Sequence, residues 1–547
     1  MSDADDPRSD LTRVLAQPWL THVMGVLSVL SLHATLGRGS YDAWDLRLFD
    51  GSWYFGWARD IARNWQFPAW ENAPLYCLYY ALFHVLFKSV FAIYFAHRVS
   101  MLVLIDLLAY VLFSRLFTPA LAVLGVAYLQ LLIEDGNIAT YAVRPFVLLP
   151  FLTAALCATR ASRWSGLWIL LSLFWAAGCR PEWWVCLPLA TLALTWLQLR
   201  THDRRSAYWM LALGIAASSF TAFATSGSPR SWLAFGQHYG YGYLRRHPSP
   251  NAPDPMLHWA RYLKQSFGDA SSVSEAFAHN PREVLAHVLQ NARYLLSEIE
   301  WAVRPKFLLA PWLEALLRPL NLLWVLAGVL TLGALGLRAR GLNARELARS
   351  YTRLLIVGAV ATVAIALGAL VVMPQAVYMY ALSVLLLGGA LASIQVWIGP
   401  LLARRPLAPL LALLLTAAVA QLLCPTPYDR TVPRIVYPAV HALPAIAGTA
   451  PYGLLADSAT SFCIYADDPR CRAQELLWQV PQPSDPAVYV DSTNTRVLLV
   501  SKRFLEQVSP AWSSYVNAIV SDPESRGWRK VAPEPGKEAV IWIYERR

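Results

Sequence analysis

The sequence predicts a mostly α-helical chain: a polytopic transmembrane bundle of about 11–13 helices with interfacial helices in its outer loops, and a small C-terminal α/β domain. Three observations predict it. Of 547 residues, 56% are hydrophobic and only 15% charged, against about 25% charged in ordinary soluble domains. The apolar residues form continuous runs and do not alternate at period two, which excludes an outer-membrane barrel. From Pro425 onward Gly, Pro, Asp and Ser increase and the long apolar runs stop, which marks a separate domain. The same composition excludes a cytosolic enzyme and a disordered scaffold. With 46 Lys+Arg against 35 Asp+Glu the net charge is +11, which in a multispanning chain reflects basic loops meeting anionic lipid. No segment resembles a nucleic-acid-binding module, so no nucleic-acid partner is expected.

The first apolar run, Trp19–Leu36, is long enough to span and has no small-residue cleavage site behind it, so it reads as a retained anchor and not a signal peptide. Further spans are expected near Val99–Phe113, Pro119–Ile133, Val143–Thr159, Gly166–Gly178, Trp183–Leu199, Tyr208–Thr225, Pro319–Leu337, Leu354–Val372, Val377–Trp397 and Leu407–Cys424. Several fall short of the roughly 20 residues a lone span needs, which suggests helices packed inside a large bundle, in a thinned membrane or beside inward-dipping loops. Arg115, then Arg160 and Arg163, then Arg200, Arg204 and Arg205, then Arg338, Arg340, Arg345, Arg349 and Arg353, then Arg404 and Arg405 occupy every second short loop. The positive-inside rule makes those loops cytoplasmic. The chain then divides into a cytoplasmic N-terminus (1–18), a transmembrane module (19–225) that includes a first outer loop (37–98), a long outer loop (226–306), further transmembrane helices (307–424) and an outer C-terminal domain (425–547).

One stretch breaks the alternation. Ala73–Ala96 is apolar enough to span, yet a crossing there would turn the basic loops outward. Either it lies in or dips into the outer leaflet, with His84 and Lys88 on its wetter face, or one of the short spans near Cys179 does not cross alone. The first reading is preferred.

In the first outer loop, Trp53, Trp57, Ile61 and Trp65 recur every four residues after Asp50-Gly51, with Arg59, Asp60, Arg63 and Asn64 on the other side. This predicts a helix floating at the headgroup level, its start capped by Asp50 or Ser52. A carboxylate held there can reach a lipid headgroup. Alternatively, Asp50 is only a cap, and Asp42 and Asp45 are solvated loop charges.

Other outer pieces supply matching groups. Glu134 and Asp135 end one apolar helix, Arg144-Pro145 opens the next, and Arg180-Pro181-Glu182 sets both signs of charge between two apolar stretches. Charges at membrane depth cost a few kcal/mol each, so Arg180 and Glu182 either pair with each other or face a polar cavity. In the long loop, Arg230, His238, Tyr239, Arg245, Arg246 and His247 precede a Pro-rich turn. An arginine pair beside histidine and tyrosine suits a phosphate or diphosphate, whose oxygens guanidinium donors match bidentately; the run is equally compatible with a solvated face. Asn280-Pro281 opens a helix striped by Leu285, Val288, Leu289, Ala292, Leu295, Leu296 and Ile299, read as a packing helix. Histidines are scattered without metal-ligand spacing, so no cofactor is indicated, and the acids leave room only for a weakly bound divalent metal.

After Pro425, β-like strings occur at Gly453–Ala456, Ala487–Val490, Arg496–Val500 and Ala539–Tyr544, with helical stretches at Lys502–Val508 and Pro510–Val520. At roughly 120 residues this part can bury its own core. Cys463 and Cys471 are close in sequence in a compartment where a disulfide persists, so a bridge is expected. The domain covers the active site, binds an acceptor or serves as a stabilising plug.

The order of parts resembles the GT-C superfamily of membrane glycosyltransferases, which includes protein O-mannosyltransferases and lipid A aminoarabinose transferases. In that family an acidic residue lies in a large first outer loop bearing juxtamembrane helices, followed by an aromatic Pro-Leu-Tyr-like segment. Here these correspond to Asp50-Gly51-Ser52-Trp53-Tyr54 and Ala73-Pro74-Leu75-Tyr76. An arginine then opens the next span (His97-Arg98-Val99-Ser100), and a later long outer loop follows the seventh helix. The resemblance covers Trp19 to about Lys306, and its motifs are loose. The Asp-Asp or Asp-Glu pair common in some members is absent, which leaves the acid open among Asp42, Asp45 and Asp50.

The resemblance implies transfer of a sugar from a polyprenyl-phosphate or polyprenyl-diphosphate carrier to an acceptor (protein, lipid or polysaccharide) at the periplasmic face of a bacterial inner membrane. Such a substitution needs a carboxylate to take the acceptor's proton and cations to hold the departing phosphate, and a single displacement inverts the sugar. Asp50 is the first choice for the base, with Asp45 second and Glu182 a further catalytic candidate. Arg98, Arg180, Arg245 and Arg246, with His238 and Tyr239, are the phosphate-binding candidates. Two rivals stand beside this. A lipid-linked glycan transporter would show internal repeats and midplane ionic groups, and no repeat is found. An O-antigen-type polymerase or ligase shares the donor but relies on loop arginines without an acid-bearing first loop.

Overall fold

The computed structural model describes residues 18–37, 40–133, 142–160, 162–201, 203–225, 229–249, 252–303, 322–341, 343, 345, 351–375, 379–403, 408, 411, 414, 434–478, 482–532 and 541–546. The expected Leu407–Cys424 span, Glu134, Asp135 and residues 1–17 lie outside these, in whole or in greater part. The chain is a helical membrane protein with a small α/β domain, and it forms two compact bodies. The helical body comprises residues 1–39, 69–76 and 99–429; the second body comprises 40–68, 77–98 and 430–547.

The principal helices of the chain are α1 (Pro18–Leu36), α2 (Asp50–Asn64), α3 (Pro74–Leu86), α4 (Val90–Leu116), α5 (Pro119–Ile133), α6 (Leu148–Ala158), α7 (Ser165–Cys179), α8 (Cys186–Arg200), α9 (Arg204–Thr225), α10 (Pro229–Arg246), α11 (Pro255–Phe267), α12 (Pro281–Val303), α13 (Leu322–Ala339), α14 (Thr352–Val371) and α15 (Tyr380–Ala403). Among the described residues, α4, α9, α14 and α15 are long and apolar enough to cross a membrane. Small residues let the helices of the first body approach closely. A Cβ on Gly166 would fall 2.1 Å from Met210 Sδ, and one on Gly214 would fall 2.0 Å from Thr191 Oγ1.

Three expectations change in detail. Val143–Thr159 divides into Val143–Phe146 and α6. The Trp183–Leu199 span begins later, at Cys186, because Pro181–Val185 forms a 3-10 turn. Ala73–Ala96 is not one segment: the helix breaks at Phe87-Lys88-Ser89, leaving α3 with 13 residues and giving the remainder to the 27-residue α4. At about 1.5 Å per residue α3 reaches only about 20 Å, against roughly 30 Å for a hydrocarbon core. Its exposed face is Leu78, Leu82, Val85 and Leu86. His84 is therefore not on a wetter face: its ring turns inward, 4.5 Å from that of Phe55.

In the second body, β1 (Tyr452–Leu455), β2 (Cys471–Gln474), β3 (Thr495–Ser501), β4 (Trp528–Ala532) and β5 (Ile541–Arg546) form a sheet in the order β2-β1-β3-β5-β4. Strand β1 runs parallel to β2 and β3, while β5 runs antiparallel to β3 and β4. Its core is Leu455, Leu498, Val500, Phe504, Trp512, Val516, Trp528 and Tyr544. Helices α16 (Val436–Ile446), α17 (Ala459–Ala466) and α18 (Pro510–Ser521) accompany the sheet. The string Ala487–Val490, expected as a strand, is helical: Pro486 sits at the first turn and the Asp485 carboxylate accepts from Ala487 N and Val488 N. The bridge Cys463–Cys471 is present, with Cα atoms 5.6 Å apart.

Helix α2 is docked on this domain. Gly56 lies against Ile464, where an added Cβ would meet Cγ2 at 3.2 Å, and Phe55 packs on Tyr465. Arg59 Nη1 and Arg63 Nη2 share the Asp467 carboxylate at 3.0 and 2.5 Å. The tryptophan stripe holds only in part: Trp53 is 42% exposed but Ile61 only 2%. Steps of four residues drift about 40° each around a helix, which carries Ile61 into the domain contact.

Candidate functional site

The second body holds the first-loop acids. Asp45 is not a solvated charge. Its Oδ2 accepts the backbone N–H of Ile435 (2.5 Å) and Val436 (2.8 Å), and its Oδ1 accepts those of Tyr437 (2.8 Å) and Leu46 (2.8 Å). It therefore closes the N-terminus of α16, whose first amide groups have no partner inside the helix. Four donors occupy its lone pairs.

Asp50 is differently placed. The residue before the helix is Phe49, with no side-chain cap, so Asp50 is the first helical residue and not the cap. Phe49 adopts φ 55° and ψ −123°, a conformation that favours glycine and that only surrounding structure can hold. Ser461 Oγ supplies that hold: it accepts Phe49 N–H at 3.0 Å and bonds Ser52 Oγ at 2.8 Å. Gly51 fits because a Cβ there would strike Arg47 Cβ at 2.5 Å. The Asp50 carboxylate is exposed and faces the positive end of the helix dipole.

Arg98 is the third element of this body. It is 6% exposed, with its guanidinium 4.6 Å from the Trp44 ring centroid. Its Nε and Nη1 are buried with no hydrogen-bond partner among the described residues. Tyr94 Oη, His84 Nε2 and Tyr465 Oη are likewise buried and unsatisfied among them. Burial drives the Tyr465 hydroxyl pKa well up, with Tyr80 and Tyr94 adding to it. An uncompensated cation in such surroundings costs several kcal/mol, and an anion on its fork would recover much of that.

The other candidates lie in the helical body. Arg180 donates from both Nε (2.7 Å) and Nη2 to Glu182 Oε1, so these two pair with each other. Adjacent Arg245 and Arg246 separate onto different faces of α10. Arg246 binds Glu283 and Gln290, and Tyr239 Oη hydrogen-bonds Ser266 (2.6 Å) and Glu283 (3.0 Å). Arg245 lies over the Tyr294 ring at 5.0 Å, and Arg245 and His238 share one wall of a cleft. Burial, with His287 and Arg144 nearby, lowers the His238 pKa to about 4. Among the described residues, no group of three His, Cys, Asp or Glu could hold a metal ion.

No protein-family profile matches the chain, and no curated protein sequence matches it either. Among solved structures, the chain is similar to the archaeal oligosaccharyltransferase AglB from Archaeoglobus fulgidus, in complex with an inhibitory peptide and a dolichol-phosphate. That match has 14% identity and a TM-score of 0.45, and covers 88% of this chain and 69% of that one. It is also similar to ArnT from Cupriavidus metallidurans bound to undecaprenyl phosphate, with 14% identity and a TM-score of 0.36, covering 95% of this chain and 97% of that one.

Sequence reasoning missed a buried polar group. Asp106, 3% exposed, accepts from Gln130 Nε2 at 2.7 Å and lies 3.1 Å from His33 Nδ1. It joins α1, α4 and α5. The signal was available: Asp106 is the only acid in the 27 residues of α4, and an ionisable residue inside an apolar helix needs a partner.

Proposed function

We propose that this protein transfers a sugar from a polyprenyl-phosphate or polyprenyl-diphosphate carrier to an acceptor at the periplasmic face of a bacterial inner membrane. The observation that carries this reading is Arg98: a buried guanidinium over the Trp44 ring, with two nitrogens unsatisfied among the described residues, suits a phosphate oxygen arriving from the bilayer. The motif order shared with GT-C transferases supports it, as does an exposed Asp50 at a helix start fixed by Ser461.

In the proposed reaction Asp50 takes the proton of the acceptor's nucleophilic group. That group attacks the anomeric carbon as the bond to the phosphate oxygen breaks, and the bonding electrons leave with the carrier phosphate, whose charge Arg98 meets. One displacement inverts the sugar. Asp45 is given no proton transfer, because its lone pairs hold backbone N–H groups. Glu182 and Arg180 are given a structural pairing.

The test is incubation of purified protein with labelled prenyl-linked monosaccharides and a panel of acceptors. Transfer should occur with at least one donor, and Asp50→Asn should abolish it without loss of expression. Normal transfer by Asp50→Asn would end the assignment of the base.

A further inference from the structure

Helix α10 carries His238, Tyr241 and Arg245 at spacings of three, four and seven residues, which puts them on one face. Helix α12 meets that face with Gln290, Tyr294 and Glu298, again four residues apart. Between them is a cleft of about 160 Å³, the room of about five waters and of a size to take one pyranose ring. Gly242 keeps its floor open: a Cβ there would meet His287 Nδ1 at 3.0 Å and Gln290 Oε1 at 3.2 Å.

The chemistry of the wall selects a ligand. Arg245 offers donors only and lies over the Tyr294 ring without an ion pair among the described residues. Glu298 lines the same cleft, and its carboxylate offers acceptors only. His238 Nδ1 is buried without a hydrogen-bond partner among the described residues, and a neutral imidazole has one donor and one acceptor nitrogen. Because Arg246 takes Gln290 Oε1, the amide group of Gln290 left for a ligand is its –NH2. Tyr241 and Tyr294 are exposed aromatic faces, on which the apolar C–H face of a sugar packs. Donors, acceptors and groups that are both, beside aromatic rings, match a hydroxyl, which donates and accepts. A bare anion only accepts and matches the donors alone.

We infer that this cleft binds a neutral saccharide, one pyranose unit of a glycan handled by the enzyme. The inference rests on the glycosyltransferase reading for the class of ligand, but binding is measured without transfer. It also replaces the phosphate role expected for His238 and Arg245 by a sugar-holding one. The buried His238 is neutral near pH 7, its pKa lowered to about 4, which agrees with a neutral ligand.

The experiment is saturation-transfer NMR on the purified full chain in detergent with millimolar methyl glycosides of several hexoses, pentoses and N-acetylhexosamines. At least one should take up saturation. Affinity should fall tenfold or more in His238→Ala and Tyr294→Ala, and by less in Tyr294→Phe, which keeps the ring and the fold. Tyr351→Ala, away from the cleft, should bind as wild type, and inorganic phosphate should not displace the sugar. The proposal is overturned if no glycoside binds, if His238→Ala and Tyr294→Phe both bind as wild type, or if phosphate displaces the sugar. Asp50→Asn should keep sugar binding while losing transfer. Binding with no transfer by any preparation would overturn the enzymatic reading and leave the cleft standing; transfer without binding here would do the reverse.

Discussion

Replacing Asp45 by alanine removes the acceptor for the backbone N–H groups of Ile435, Val436 and Tyr437, which lie 2.5, 2.8 and 2.8 Å from its oxygens. Loss of a helix cap alone costs about 1 kcal/mol and up to about 2, while hydrogen bonds to a charged group contribute roughly 1.5–3 kcal/mol each. The terms do not add in full, since freed amides at a helix start partly regain water, so about 3 kcal/mol is the expected loss. For a body of this size that is a fall of roughly 6–12 °C in unfolding midpoint. Asp45→Asn retains one carbonyl acceptor and should lose about half as much. The assay is thermal unfolding in detergent, followed by proteolysis at the first loop and the C-terminal domain. Asp50→Ala, whose carboxylate is exposed, should shift the midpoint by less than 2 °C. If Asp45→Ala instead melts like wild type and loses only transfer, Asp45 is a catalytic group and not a tie.

Arg98→Met should leave the unliganded protein as stable or more so, because it removes a buried cation with no ion-pair partner among the described residues. The same change should weaken polyprenyl-phosphate binding at least tenfold, measured by ligand-dependent midpoint shifts. Gly51→Ala should destabilise the second body by about 1–3 kcal/mol through the clash with Arg47 Cβ, read by thermal unfolding. Joint replacement of Cys463 and Cys471 by serine opens a short loop and should cost roughly 2–3 kcal/mol by the same assay. The buried rings of His238 and His287 titrate near 4 in the folded helical body against 6.5 when unfolded. The unfolded chain therefore binds more protons between those values, and stability should fall as pH drops from about 6.5 to about 4. His238→Asn and His287→Asn should each flatten that slope; an unchanged slope in both would discard the assignment.

Much of the helical architecture could be read from residue order, because apolar run length is a local signal that lipid makes strict. The helices at Pro119–Ile133 and Ser165–Cys179 were legible for that reason. The break at Phe87-Lys88-Ser89 was not, since no glycine or proline marks it. Motif order named Asp50 and Arg98 as candidates, but the partners of Asp45 could not be read from it. The amide of Val436 lies 391 positions away, and no local pattern announces that an aspartate will cap so distant a helix. The ion pair of Arg180 with Glu182 was one of two readings that spacing allowed, and the choice depended on side-chain geometry.

The separation between Asp45 and the amides it receives sets a schedule for biosynthesis. At about 5–20 residues per second, ribosomes need roughly 20–80 s to make the intervening chain. Throughout that interval the early loop, including the apolar face of α2 formed by Phe55, Ala58 and Ile61, must wait without its docking domain. Nascent chains stalled before Arg434 should therefore be cut there by proteases that spare the finished protein. Maturation of this protein would thus be timed by translation of its tail, and a late frameshift would undo the docking of a loop translated more than a thousand nucleotides earlier.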